Sequence, residues 1–504
     1  MMTGRLPLWL LTATAGVALL TLGCGDPRAS HQDERPVLPL VLSPEEPASY
    51  DLADPGCEAS APTLRAVNDV TIHEWDGQGV KEQQVTLAGA RSEDSLATPA
   101  ISGTTYHDVY ERTCDLNRPA GHECDNDQGA EKGWTHNSGQ SKGPLRICRD
   151  GTTYGRLTYE GIALTSAYFV QQAHDKYVSL AVTGGAKTPD RIHLSVIPYF
   201  IDYDDNYMVN GAPKRLAKFV THNLAYFPGE EMIAVFPERA DLQASEAGYF
   251  WESQFILGHE YGHHIDFMRH GRLLNSIGLR WDPVAHDYVD DAALAQGEDA
   301  ASDRAHVAGA LAEGFADMMG YYADGGSNRS ITGVPGMGDD RDVGSDHFRG
   351  GTAKVLTEEH LATLLGRGAT TRQDGDPDYT DIHIVGAIIA HACDKAFTDL
   401  TAAGPTGPGG PGDDVAARYR LALSFSDALV AGVATLPPTA SGDDVLAPIG
   451  AALQKAADQY LSGLGLAADR TAQVQQAVCA DARTILPALK TLPYAKQGSC
   501  SPGG

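Results

Sequence analysis

The stretch FILGHEYGHHIDF, residues 255–267, restricts the possible folds of this chain more than any other feature. Its apolar residues recur at helical spacing, yet it carries His259, Glu260, His263 and His264. A helix buried in a protein interior accommodates such groups only where something pairs with them. Positions four apart share a helix face, so His259 and His263 can present two imidazole nitrogens to one ion, with Glu260 beside them. A hydrolytic Zn²⁺ takes three protein ligands and keeps one position open. Downstream, LAEGFADMM offers Glu313 as the third ligand. It also places Asp317 where it can accept the remaining N–H of a ligating histidine. His264 points off the shared face, and His270 lies about 10 Å beyond His263 along the axis. Both are expected to be satisfied core or surface groups.

A chain of 504 residues exceeds what one core usually serves, and two or three domains are expected. Residues 1–23 read as an export signal: one cation, Arg5, then an apolar run ending at Gly23-Cys24. This resembles a bacterial lipoprotein signal, which implies lipidation of Cys24 and a membrane-anchored protein at the outer membrane or cell surface. An ordinary secretory signal, giving a secreted protein, is the alternative; Thr21 stands where the lipoprotein pattern prefers Leu. Residues 24–66 are polar and Pro-rich and read as a tether. Residues 67–157 alternate β-formers around Gly turns and form a β-rich, disulfide-bearing region. Residues 158–270 hold a helix beginning near Thr165-Ser166, strands in IHLSVIPYF and EEMIAVF, and a helix over 249–270. Residues 271–504 are mainly helical, with a helix over 306–323, and the tract GPTGPGGPGDD reads as a surface loop. Of the eight cysteines, Cys393 lies in an apolar helical run and is expected as a buried free thiol. Cys57, Cys114, Cys124, Cys148, Cys479 and Cys500 are expected in three disulfides. With 66 acidic against 38 basic residues, net charge −28, the chain offers no basic patch for a nucleic acid.

Taken together, TSAYFVQQAHDKY, NLAYFPGEEMIAV, HEYGH, EGFAD, DIHIVGAIIAHACDKA and IGAALQKAADQYLSGLG resemble a thermolysin-like neutral metallopeptidase of the gluzincin group. The similarity spans roughly residues 160–485. It implies an α+β, two-lobed peptidase: a β-rich N-terminal lobe with the active-site helix, and a mainly helical C-terminal lobe. It further implies one catalytic zinc on His259, His263 and Glu313, Glu260 as general base, and Asp317 orienting His259. His383 would donate to the oxyanion, with Asp378 orienting it. Ala225 would hold the main chain of an extended peptide or protein substrate by strand addition, with Tyr226 beside it. Arg341, in GDDRDVGSD, is the candidate for the family's arginine. The implied reaction is endoproteolysis of extracellular or periplasmic proteins.

Several positions depart from the family pattern. Residues 269–305 are inserted between His263 and Glu313. Leu224 replaces an Asn, and Val385-Gly386 replace an Asn-Ser pair. Phe255 stands where the family keeps an acid, which removes one ligand of its calcium site and leaves calcium binding open. An aminopeptidase of the same zinc group would carry a G-x-M-E-N strand, and no such stretch occurs. A non-catalytic zinc-binding surface lipoprotein, an adhesin or scaffold, is the reading from another class. The sequence does not indicate an oligomeric state.

Overall fold

Strand-forming alternation early in the chain and helical periodicity later give an α+β protein. The computed structural model describes residues 40–42, 67–107, 141–144, 154–237, 248–334, 341–365, 377–402, 411–465 and parts of 468–488, with short breaks inside those ranges. Cys24 and the six cysteines assigned to disulfides lie outside the described residues. Cys393 is free and buried, as expected, and burial pushes its thiol well up from the ordinary range.

The strands are β1 (Leu40–Leu42), β2 (Val67–Trp75), β3 (Val80–Leu87), β4 (Arg91–Ser92), β5 (Leu96–Ala97), β6 (Ile101–His107), β7 (Ser141–Pro144), β8 (Ile192–Val196), β9 (Phe200–Val209), β10 (Ala212–Val220), β11 (Asn223–Phe227), β12 (Met232–Phe236), β13 (Leu279–Asp282) and β14 (Asp287–Asp290). The largest sheet has the order β11-β12-β8-β6-β7. Its three inner strands run parallel, and its two outer strands pair antiparallel to their neighbours. β11 is therefore an edge strand. β1 falls inside the expected tether, where the apolar run LVL pairs parallel with residues 215–217 of β10. β13 and β14 form a hairpin within the inserted residues.

Helix α1 (Tyr159–Leu180) starts six residues before Thr165, because Thr158 is its N-cap and accepts from Gly161 N. Thr165 and Ser166 lie inside it, fully buried. Helix α2 (Gln254–His270) carries the HEYGH motif, with Ser253 capping Ile256 N at 3.2 Å and Gly271 ending it in the left-handed region at φ 61°. Helix α3 (Glu298–Ala323) begins two turns earlier than 306, within the residues expected as an insertion. Helices α4 (Glu358–Leu364), α5 (Ile382–Ala402), α6 (Pro411–Val433), α7 (Gly442–Leu446) and α8 (Pro448–Leu464) follow. Residues 411–414, the end of the tract expected as a loop, form the first turn of α6, where proline loses no helical hydrogen bond.

Apolar residues of the large sheet and of α1, α2, α3, α5, α6 and α8 belong to one buried cluster. Phe255, Leu257, Tyr261 and Ile265 commit α2 to it. Between Phe255 and Ile265 on the same side, α2 carries only glycines where it meets α3. A Cβ on Gly258 would come within 2.8 Å of Ala323 Cβ, and one on Gly262 within 3.0 Å of Ala316 Cα. From α3, a Cβ on Gly320 would lie 2.5 Å from Phe255 O and 3.0 Å from His259 N. The α3–α5 contact is built the same way: a Cβ on Gly386 would meet Gly314 N at 2.8 Å and Ala310 O at 2.9 Å. Small residues thus let three helix backbones touch. The ends are tied as well. Gln254 Nε2 donates to Ala323 O at 2.9 Å, Phe255 N donates to Ser330 Oγ at 3.0 Å, and the Ser330 hydroxyl donates to Asp324 at 2.8 Å.

Gly320→Ala places its methyl against backbone atoms that cannot rotate away. It is expected to cost about 1–3 kcal/mol of stability, the usual range for overpacking, and thermal unfolding checks this.

Candidate metal centre

The glycine contacts set α2 and α3 at a separation that only short reaches must bridge. His259 and His263, one turn apart on α2, bring their Nε2 atoms to 3.1 Å. Glu313 on α3 sends Oε2 to 3.3 Å from His259 Nε2 and Oε1 to 3.4 Å from His263 Nε2. Among the described residues these three form the group able to hold a metal ion, with ligand atoms all within 4.8 Å of one another. Tetrahedral ligands at zinc bond lengths stand about 3.3–3.4 Å apart. The two imidazole nitrogens stand 3.1 Å apart, and each has a different oxygen of the Glu313 carboxylate at 3.3 or 3.4 Å, spacings of the size that ligands of one small cation require. Glu313 is fully buried, and its Oε1 has no hydrogen-bond partner. A buried carboxylate oxygen left so is costly unless a cation takes it. The three residues could therefore hold a metal ion.

The surroundings orient the ligands. Asp317, fully buried one turn past Glu313, lies 3.0 Å from His259 Nδ1, which leaves Nε2 facing the cluster. Arg341, also buried, donates from Nη2 to Asp317 Oδ1 at 2.7 Å and to Glu313 Oε2 at 3.0 Å. That Nη2 also lies 3.1 and 3.2 Å from the His259 ring nitrogens. The Arg341 loop is pinned by Lys354 Nζ on Asp342 O and by His391 Nδ1 on Val343 O at 2.9 Å. Glu260, 7 % exposed, has Oε1 4.0 Å from His259 Nε2. From α5, His383 reaches in with Nε2 3.4 Å from Glu313 Oε2.

Asp381 meets His383 Nδ1 at 2.7 Å and also caps the helix by accepting from His383 N at 2.9 Å. The resemblance had placed Asp378 on that nitrogen, whereas Asp378 accepts from Thr380 N and Oγ1. The signal for Asp381 was present: an aspartate directly before an apolar helical run is an N-cap. Ala225 and Tyr226 lie in the edge strand β11, Ala225 opposite Ala234 of β12. His264 and His270 are both satisfied, as expected. His264 is fully buried and lies 2.9 Å from both the Tyr226 hydroxyl and Asp190 O. Burial pushes its imidazole down to about 4, so it is neutral. His270 bridges Asp266 and Asp427 of α6, each at 2.9 Å.

The electrostatics demand positive charge. Burial opposes ionisation of Glu313, yet the charges of His383 and His263 and a hydrogen bond from His259 hold its carboxyl well below the usual range. Asp317 is likewise held down against burial, chiefly by Arg341. Burial and Arg341 oppose protonation of His259, and Asp317 and Glu313 outweigh them, raising it to about 9. His383 is raised too: burial opposes its charge and Glu313 favours it. Comparison with protein-family models and with curated proteins finds no match to this chain.

Two outcomes follow for zinc. Glu313→Ala leaves two ligands, and the variant should lose zinc on dialysis that the parent retains, as read by metal analysis. Zinc must also displace the proton that His259 holds below pH about 9. Affinity measured by competition with a chelator of known pH dependence should therefore rise from pH 6 to 9 and level off above.

Proposed function

We propose that the chain is a zinc-dependent endopeptidase with a thermolysin-like, two-lobed arrangement, exported and held at a membrane surface by lipid on Cys24. The observation that carries the reading is the spacing of His259 Nε2, His263 Nε2 and the Glu313 carboxylate on two touching helices, with Glu260 at its rim. Held by these three residues, zinc supplies the charge that acidifies water and polarises a carbonyl. Glu260 stands where it can take a proton from the attacking water and hand it to the leaving amine. His383, steadied by Asp381, offers Nε2 as a donor to the oxygen on which charge develops. Asp317 fixes the His259 ring, and Arg341 offsets the buried carboxylates. The edge strand β11 receives an extended peptide by adding it to the sheet, with Ala225 at the contact.

Glu260→Gln keeps the size of the side chain and removes the proton acceptor. Zinc content should match the parent, while kcat on an unstructured protein such as casein falls by on the order of a hundredfold or more. Equal turnover would remove Glu260 from the chemistry. A parent that holds zinc and cuts neither casein nor unstructured peptides would point to a scaffold.

A further inference from the structure

We propose that the Tyr226–His264 pair sets the register of bound substrate: Tyr226 is a positioning residue whose hydroxyl, bonded to His264, fixes the edge strand β11 relative to the zinc-binding helix. The inference rests on the peptidase reading and adds to it a device that ties strand to metal site. His264 directly follows the proposed ligand His263 and faces away from the ligand cluster. Its two ring nitrogens have unlike partners. The backbone carbonyl Asp190 O, 2.9 Å from Nε2, can only accept, so Nε2 carries the proton. Nδ1 is then a lone pair, and the Tyr226 hydroxyl at 2.9 Å must be the donor. One imidazole thereby joins α2, β11 and the segment leading into β8. The Tyr226 ring stands edge-on to His264, centroids 5.4 Å apart, and lies 6.4 Å from Phe267, one turn further along α2.

Such a tie controls position along the strand. One residue of β-strand spans about 3.3 Å, and a slip of that size would break the Tyr226–His264 bond and present the wrong face of the strand. Backbone pairing alone gives affinity with little preference for register, because every residue offers the same N–H and C=O groups. A peptide lying on β11 inherits whatever offset β11 has from α2. A misplacement of about 1 Å at the reacting carbonyl can cost on the order of a hundredfold in rate. Loss of the hydroxyl should thus leave binding largely intact while spreading cleavage over neighbouring bonds.

The test uses the zinc-loaded full chain, Tyr226→Phe and His264→Leu, with an extended synthetic peptide whose cleavage products are resolved by mass spectrometry. Zinc content and thermal unfolding are measured on the same preparations. Each variant should retain zinc, keep KM within about twofold, lose on the order of tenfold in kcat, and yield new products cut one residue from the parent's bond. His264→Gln, whose amide can accept from Tyr226 and donate to Asp190 O, should restore the parent's product pattern. Parent-like kcat and products per zinc-loaded molecule in Tyr226→Phe would overturn the proposal and leave the peptidase reading standing. A lower melting temperature with an unchanged product pattern would overturn it in favour of a purely structural bond. A zinc-loaded parent that cuts no peptide would overturn both.

Discussion

The backbone contact between α2 and α3 is the constraint on which the candidate metal centre depends. Side chains of ordinary size would hold two helices 8–10 Å apart. Here Gly258 and Gly262 meet Ala316, Gly320 and Ala323 with no side chain between the backbones to spare. Only at such an approach can the short carboxylate of Glu313 reach the imidazoles of His259 and His263 on the next helix. The same economy at Gly314 and Gly386 brings α5 against α3 and delivers His383 to the Glu313 carboxylate. Gly386 is a packing element, because any side chain there would strike the backbone of α3.

Closeness of this kind concentrates charge where water cannot screen it. Glu313 and Asp317 are fully buried, and one guanidinium, from Arg341, serves both. Desolvation costs several kcal/mol for each such ion, so a buried cluster is weak evidence for stability and better evidence for use. The pair lacks one positive charge, and His259 and His383 respond by binding protons more readily than free histidines. A divalent cation between His259, His263 and Glu313 would replace those protons, and the group could hold one.

Much of the site was legible because it is written in local periodicity. His259, Glu260 and His263 follow from i, i+4 spacing within α2, and Glu313 with Asp317 from the same spacing within α3. The buried thiol of Cys393 followed from its apolar neighbours. What sequence could not give depends on contacts between distant segments. Arg341 was named only through the resemblance, and its contacts with Asp317 and Glu313 depend on a loop tied by His391 and Lys354. Asp381 rather than Asp378 meets His383 Nδ1, since the capping geometry at the start of α5 turns it toward the ring. The early start of α1 was missed because Thr165 and Ser166 look like a cap, whereas Thr158 does the capping and the two inner hydroxyls are buried. The strand Leu40–Leu42 was hidden in a Pro-rich context, and its partner lies some 170 residues away in β10.

The mutual ties at one end of the helix pair bear on how the centre comes apart. The Gln254 side chain at the start of α2 donates to the last carbonyl of α3, and Ser330, beyond α3, accepts from the Phe255 amide of α2. Neither terminus can fray without exposing the unsatisfied groups of the other. The ends of two ligand-bearing helices, which in most proteins are the first places to open, are thereby joined into one cooperative unit. Local opening would then present all three ligands to solvent together or none of them, and exchange of backbone amides in α2 and α3 would share a single opening free energy.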